Sequence, residues 1–227
     1  MKKIKFEKLF EHPTATVDVV VFSVENGELG VLLIRRKYSP FKNMWALPGG
    51  FIRKNEELAK AARRELGEET GISGVYLEQL YTFDAPGRDP RGRVITVAYF
   101  ALVQQRAMKL KASFDAKEAK LFAMRKLPKL AFDHKVIIDY ALIRLRNKIQ
   151  YTNAAWSMLP EAFTLGELQR LYEIILGKRL DKRNFRKKIL SLGILKTLRR
   201  IKKGLRQRPA RLFTFKTRKH IELRRFF

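Results

Sequence analysis

The spacing of hydrophobic residues along this chain changes period several times, and each change marks an element. Thr14 to Ser23, TATVDVVVFS, is dominated by β-branched residues and predicts a strand. Glu25-Asn26-Gly27 is a turn signal, and Leu29 to Arg36, LGVLLIRR, follows as a second, buried strand. Val75 to Phe83 and Val94 to Val103 read as a further strand pair. The loop between them, Asp84 to Arg93, holds two prolines, two glycines and three arginines. Between Asn55 and Gly71 the period becomes helical. Asn55 is a good N-cap, Gly71 suits the position just past a helix, and Leu58, Ala59, Ala62 and Leu66 form an apolar stripe. Phe132 to Ile149 predicts another helix, with Val136, Ile137, Tyr140, Ala141 and Ile143 on its apolar side.

The pattern breaks at Tyr151 to Pro160, which contains neither an acid nor a base and reads as a hinge between residues 1–150 and 151–227. Beyond it, Thr164-Leu165-Gly166-Glu167 is a capping box opening a helix whose buried side is Leu165, Leu168, Leu171, Ile174 and Ile175. Gly177 ends that helix. Asp181 caps a second one, Lys182 to Leu192, in which Phe185, Ile189 and Leu192 pack inward while Lys182, Arg183, Arg186 and Lys187 face out. Leu190 falls among the bases, so the division is not clean. Ile194 to Ile201 and Leu212 to Lys216 then predict two strands flanking a basic loop that contains Arg206, Arg208 and Arg211. Two short helices, a tight turn and a basic wing make a winged helix-turn-helix, a DNA-binding architecture whose second helix enters the major groove.

Charge reinforces this division. The net charge of the 227 residues is +27. Residues 1–150 hold 28 Lys and Arg against 17 Asp and Glu, whereas the shorter remainder holds 21 against 5. So uneven a distribution predicts a polyanion partner, with nucleic acid ahead of an anionic membrane surface. There are no cysteines, which excludes disulfides, thiolate metal sites and cysteine nucleophiles. With only His12, His134 and His220, a histidine metal cluster is not expected, and His134 reads as structural. The N-terminus lacks the apolar segment of a secretory signal, and no run is long enough to span a bilayer, so a cytoplasmic location is expected.

The chemistry concentrates in Gly50 to Ile72, GFIRKNEELAKAARRELGEETGI. Gly50, Glu56, Arg64, Glu65, Leu66, Glu68, Glu69, Gly71 and Ile72 stand at the spacing G-x5-E-x7-R-E-U-x-E-E-x-G-U, where U is a bulky aliphatic residue. On a helix, Glu65, Glu68 and Glu69 project to one side, where their mutual repulsion makes sense if hard divalent cations sit between the oxygens. That spacing, preceded by Trp45-Ala46-Leu47-Pro48-Gly49-Gly50, resembles the Nudix box with every fixed position filled. The resemblance implies an α/β sandwich, with a mixed sheet between helices, and water attack on a nucleoside diphosphate linked to a further group. It also implies roles: Glu65, Glu68 and Glu69 hold Mg²⁺ (or Mn²⁺), Arg64 orients Glu65, and Glu56 supports the loop or a further metal. Gly49 and Gly50 allow close backbone approach to substrate. Arg36 stands where a phosphate would lie, or merely solvates a strand end. The arginine loop, with Arg88, either holds the diphosphate or is a plain hairpin connection. Glu118 is a further candidate base or metal ligand, weighed against an ordinary surface acid.

Two further stretches, TFDAPGRDPRGRVITVAYFAL and TLGELQRLYEIILGKRLDKRNFRKKIL, resemble the NrtR-type regulators, a Nudix branch with a C-terminal winged helix. In order, box, arginine loop and tail cover nearly the whole chain. The resemblance implies ADP-ribose or a related nucleotide as ligand, operator DNA as partner, and a homodimer. Regulators of this kind often carry a degraded box. This box is intact, so hydrolysis stays open. The alternative reading is a Nudix pyrophosphatase, of ADP-ribose or of RNA 5′ ends, with a basic tail that tethers it to nucleic acid.

Overall fold

The computed structural model describes residues 12–108, 116–202 and 210–223. Its spine is β1 (Thr14–Glu25), which turns through Asn26-Gly27 into β2 (Glu28–Arg36) as an antiparallel hairpin. Alternate residues of β1 serve two cores. Val17, Val19 and Val21 pack on one side of the sheet, Val20 and Phe22 on the other. A strand buried on both faces reads as the unbroken apolar run seen in the sequence.

Short β3 (Trp45–Ala46) and β4 (Gly49–Phe51) pair with β2 and β1 respectively. β5 (Leu77–Phe83) pairs antiparallel with β6 (Val94–Leu102), and β6 runs parallel to β1. β7 (Ala116–Ala123) pairs with β2, completing a mixed sheet of seven strands. β7 was not expected. Its sequence, AKEAKLFA, lacks the β-branched enrichment by which strands are read.

On one face lies α1 (Leu58–Thr70), buried through Ala61, Ala62 and Leu66 and ended by Gly71 in the left-handed conformation. Two details differ from expectation. Ala59 is exposed, and the N-cap is Glu57, because the preceding loop closes on the Glu56 carboxylate, which accepts the Arg53 N–H at 2.9 Å. Asn55 instead sits in the loop with φ of 62°.

On the other face lies α2 (His134–Lys148). Its buried residues are His134, Ile137, Ile138, Ala141, Leu145 and Lys148, while Val136 and Ile143 are 57% and 60% exposed. The apolar side is therefore rotated from the one expected. A lysine closes the buried stripe: Lys148 Nζ lies 2.7 Å from Glu78 on β5, and hydropathy cannot anticipate a charge buried by pairing.

The stretch expected as a hinge is packed. Thr152, Asn153, Ala154 and Ala155 are buried, and Ala154–Met158 forms a short 3₁₀ helix. Asn153 bonds the returning tail through its side chain, to Lys219 O at 2.9 Å and from Ile221 N at 3.0 Å. Lack of charge here reflects burial rather than a linker. Next come β8 (Phe163–Thr164), α3 (Leu165–Leu176) behind its capping box, and α4 (Lys182–Ser191), capped by Asp181. β9 (Leu195–Lys202) and β10 (Ala210–Phe215) join β8 in a three-stranded sheet ordered β8-β10-β9. This is the expected winged helix. Its core, including Leu168, Tyr172, Ile175, Phe185 and Ile189, is continuous with Ile137, Ala141 and Leu145 of α2. Among the described residues, no helix is long and apolar enough to cross a membrane.

Candidate functional site

α1 presents its acids along one rim, and Arg64 organises them. Its guanidinium donates to both Glu56 oxygens at 2.7 and 2.8 Å, to Glu65 at 2.7 Å, to Glu68 at 3.1 Å and to the Phe51 carbonyl at 3.2 Å. Three acids around one planar cation need arginine's fork, which lysine lacks. The Arg64 hydrogen bonds, with help from the Arg53 N–H, hold the Glu56 carboxyl down to about 2. Glu65 moves the other way: burial raises its pKa, although Arg64 opposes the shift. Glu68 also reaches Arg53 at 3.1 Å.

Glu69 is buried and accepts the Gly49 N–H at 2.8 Å. The paired glycines are required by contact. A Cβ on Gly49 would stand 2.2 Å from the Val17 carbonyl oxygen, and one on Gly50 2.6 Å from a Glu65 oxygen. Glu65, Glu68 and Glu69 share a cleft of about 380 Å³ with Arg36, Gly49, Gly50, Phe51, Arg53 and Arg91, within the size range of ligand pockets. Among the described residues, no three acid or imidazole groups converge on one point. Arg64 draws Glu65 and Glu68 to itself, while Gly49 holds Glu69. The donor set is nonetheless all oxygen and lines one wall, which suits a hard divalent cation.

A smaller cavity adjoins the cleft, sharing Arg36, Gly49, Gly50, Phe51 and Arg91, and reaches inward to Asp18, Arg88, Phe132 and His134. The arginine loop divides here. Arg88 turns inward: its side chain is 4% exposed, it holds Asp133 through two bonds of 2.9 and 2.7 Å, and it lies 3.6 Å from Asp18. Arg91 is the one that borders the cleft, with its guanidinium carbon 4.6 Å from the Phe51 ring centroid and 5.6 Å from that of Phe132. Arg36 also lies over Phe132, at 4.8 Å. Burial lowers the Arg36 pKa, and nearby Arg91 lowers it further, so an anion placed between these cations would be stabilised. The sequence marked the loop as cationic. Which of its arginines meets the cleft depends on where the loop packs, and Phe51 and Phe132 carried no sequence signal. His134 is fully buried, which lowers its pKa, and its Nδ1 accepts the Leu47 N–H at 2.8 Å. Glu118 is exposed on β7 and does not line the cleft.

At the other end of the molecule, Lys182, Arg183, Arg186 and Lys187 lie exposed on α4, with Leu190 48% exposed beside them. Phe185 and Ile189 anchor the opposite face. Arg211 is exposed on β10. Arg206 and Arg208 lie outside the described residues.

Comparison with known proteins agrees with both regions. Residues 12–141 match the NUDIX domain model, and residues 155–215 match the NrtR DNA-binding winged helix domain model. The chain is 41% identical over 210 residues, 91% of its length and 83% of the relative's, to the ADPR responsive transcriptional repressor NtrR of Acinetobacter baylyi. It is 41% identical over 140 residues, 61% of this chain and 79% of the relative, to the ADP-ribose pyrophosphatase of Methanocaldococcus jannaschii. The crystal structure of Shewanella oneidensis NrtR complexed with a 27mer DNA superposes with a TM-score of 0.80 at 36% identity, covering 89% of this chain and 93% of that one.

Proposed function

This chain belongs to the NrtR family, a Nudix domain followed by a winged helix, and from that premise we propose that it is a cytoplasmic, ADP-ribose-responsive transcription repressor, with its division at residue 150. One observation carries the proposal. A single packed chain joins a complete carboxylate cleft to a helix whose solvent face is a row of four cations.

In this reading the cleft receives the nucleotide. Arg36 and Arg91 face its diphosphate, and Gly49 and Gly50 let the backbone approach closely. Both arginines are held by an acid, Arg88 by Asp133 at 2.7 Å and Arg91 by Asp89 at 2.6 Å, but Arg88 is 4% exposed and shapes the pocket from beneath, whereas Arg91, 38% exposed, is open to ligand at the rim. Glu65, Glu68 and Glu69 would hold Mg²⁺ or Mn²⁺, which when bound neutralises phosphate charge and activates water. For those carboxylates to turn toward the cleft, Arg64 must release Glu65 and Glu68 while keeping its two bonds to Glu56. The complete box favours retained hydrolysis, and so does the likeness to a pyrophosphatase. α4 enters the major groove with Arg183 and Arg186 toward base edges, while Arg206, Arg208 and Arg211 of the wing meet phosphates. Homodimerisation would cover exposed Val136 and Ile143 of α2 and Tyr81 of β5, an apolar patch in which Tyr81 stacks on half-buried Tyr140 at 5.0 Å.

The second reading, a tethered hydrolase, rests on the same intact box. One preparation decides between them. It is incubated with ADP-ribose and Mg²⁺ and followed for product, then tested for duplexes enriched from a random library. A repressor retains a preferred duplex and loses it to ADP-ribose. A tethered hydrolase turns over ligand but enriches no sequence.

A further inference from the structure

His134 opens α2, yet it belongs equally to the loop that leads into the carboxylate cleft. Leu47 donates its N–H to His134 Nδ1 at 2.8 Å, and the opposite ring nitrogen lies 3.4 Å from Asp18 on β1. Three residues before His134, Ala131 N donates at 2.8 Å to the carbonyl of Trp45, two residues before Leu47. The loop from Trp45 to Gly50 is thus laced to the leading end of α2. Its next links are to the sheet and to the site: Val19 N donates to Pro48 O at 2.8 Å, and Gly49 N donates to Glu69 at 2.8 Å. A proline at position 48 has no N–H to give, so the Leu47 N–H is the last backbone donor before the glycine pair.

The far end of α2 touches the winged helix. Arg146 Nε donates to the Ile175 carbonyl of α3 at 3.1 Å, and Leu145 and Ile149 are buried in the same core as Leu168 and Ile175. A helix is stiff over this length, and a packed core transmits displacement rather than absorbing it. A shift of Gly49 against Glu69 therefore has a short route to α3: Leu47, the His134 ring, α2, then Arg146 and the shared core.

We propose that His134 is a positioning residue that latches the glycine loop of the nucleotide cleft to α2, and that ligand in the cleft moves the winged helix through this latch. The inference rests on the ADP-ribose reading of the cleft. It assigns His134 no contact with ligand and no proton transfer. The latch needs one acceptor at the Nδ1 position, and an asparagine side chain can supply one there while leucine cannot.

The test compares the full-length wild type with His134→Leu and His134→Asn, each with ADP-ribose and no divalent metal, so that the ligand persists. Calorimetry measures ligand binding, and hydrogen exchange reports on residues 165–176, the α3 segment outside the cleft. In the wild type, saturating ADP-ribose is expected to change exchange in α3 by about twofold or more. His134→Leu is expected to bind ADP-ribose within about threefold of wild type and to lose the α3 response, and His134→Asn to regain it. An α3 response in His134→Leu equal to that of the wild type overturns the latch while leaving the ligand reading intact. A wild type that does not bind ADP-ribose removes both. Where His134→Leu does not fold, Arg146→Ala breaks the same route at an exposed side chain. It too must lose the α3 response with ligand affinity unchanged, and retention of the response overturns the proposal.

Discussion

Two helices carry the charged surfaces of this molecule, and they are wired in opposite ways. On α1 the acids are engaged before any ligand arrives: Arg64 spans Glu56, Glu65 and Glu68, and Glu69 holds a backbone N–H. On α4, Lys182, Arg183, Arg186 and Lys187 are exposed, and none pairs with an acid among the described residues. A site with internal partners discriminates, because a ligand must offer more than the bonds it displaces. An unpaired row of cations attracts any polyanion, through counterion release, and gains specificity only where a side chain reaches a base edge. The carboxylate end is therefore suited to selectivity by geometry, and the cationic end to capture first and reading second.

The largest expected effect breaks the wired end. Glu69→Gln keeps an acceptor for the Gly49 N–H but removes a hard anionic ligand. Turnover of ADP-ribose with Mg²⁺ is expected to fall by about a hundredfold or more, with thermal unfolding nearly unchanged. A variant that still hydrolyses at the wild-type rate would remove Glu69 from the metal set.

The unwired end breaks differently. Arg183→Ala with Arg186→Ala is expected to narrow the preference for the selected duplex over random DNA by about thirtyfold or more, at about 1–3 kcal/mol for each of the two lost base contacts. Arg211→Ala in the wing is expected instead to weaken all duplexes alike, lowering the salt slope by about one unit. Competition titrations at several salt concentrations separate the two. Uniform weakening in both variants would show that α4 captures without reading.

These contrasts were unevenly legible in the sequence. The box was readable because its residues lie within one helix and its loops, where spacing alone fixes geometry. α3, α4 and their caps were readable for the same reason. What failed depended on distant partners. Lys148 is buried because Glu78 comes to it across the sheet, and that shifts the apolar face of α2 away from Val136 and Ile143. Arg88 and Arg91 are three residues apart in one loop, yet Arg88 is buried against Asp133 while Arg91, held by neighbouring Asp89, borders the cleft. The stretch from 151 to 160 looked like a linker because its composition shifts abruptly from that of the segments on either side, but it is burial that excludes charge there. Only packing tells a linker from a buried stretch.

Acid sharpens the comparison further, with a smaller effect. The Glu56 carboxyl moves from an ordinary 4.5 to about 2 through its Arg64 hydrogen bonds. A depressed carboxyl contributes stability that is complete above the unfolded value and lost as pH falls through the folded one. Wild-type melting temperature is thus expected to drop between pH 4.5 and pH 2, and Glu56→Gln, less stable at neutral pH, to show a flatter profile in that window. Substitutions on α4 should leave the profile unchanged. Calorimetric scans across the window measure both.

The smallest effect concerns Glu65, where wiring and burial oppose each other. Its pKa is raised, chiefly by burial, with Arg64 pulling the other way. The sign follows from linkage. A raised carboxyl favours the folded state at pH values below its unfolded pKa, and that advantage disappears as pH rises through the folded one. At neutral pH the ionised Glu65 therefore costs stability, which is the expected condition of a group held for function. Glu65→Gln keeps an oxygen toward Arg64 and removes the charge. Its melting temperature at pH 7 is expected to rise by about 1–3 °C, with the gain fading as pH falls below the carboxylate range, while Mg²⁺-dependent turnover is lost. A melting temperature that falls would mean that the Arg64 pairing outweighs the burial of the charge. The acidic rim would then be a structural ion-pair network first, and α1 would differ from α4 in stability rather than in readiness for a metal.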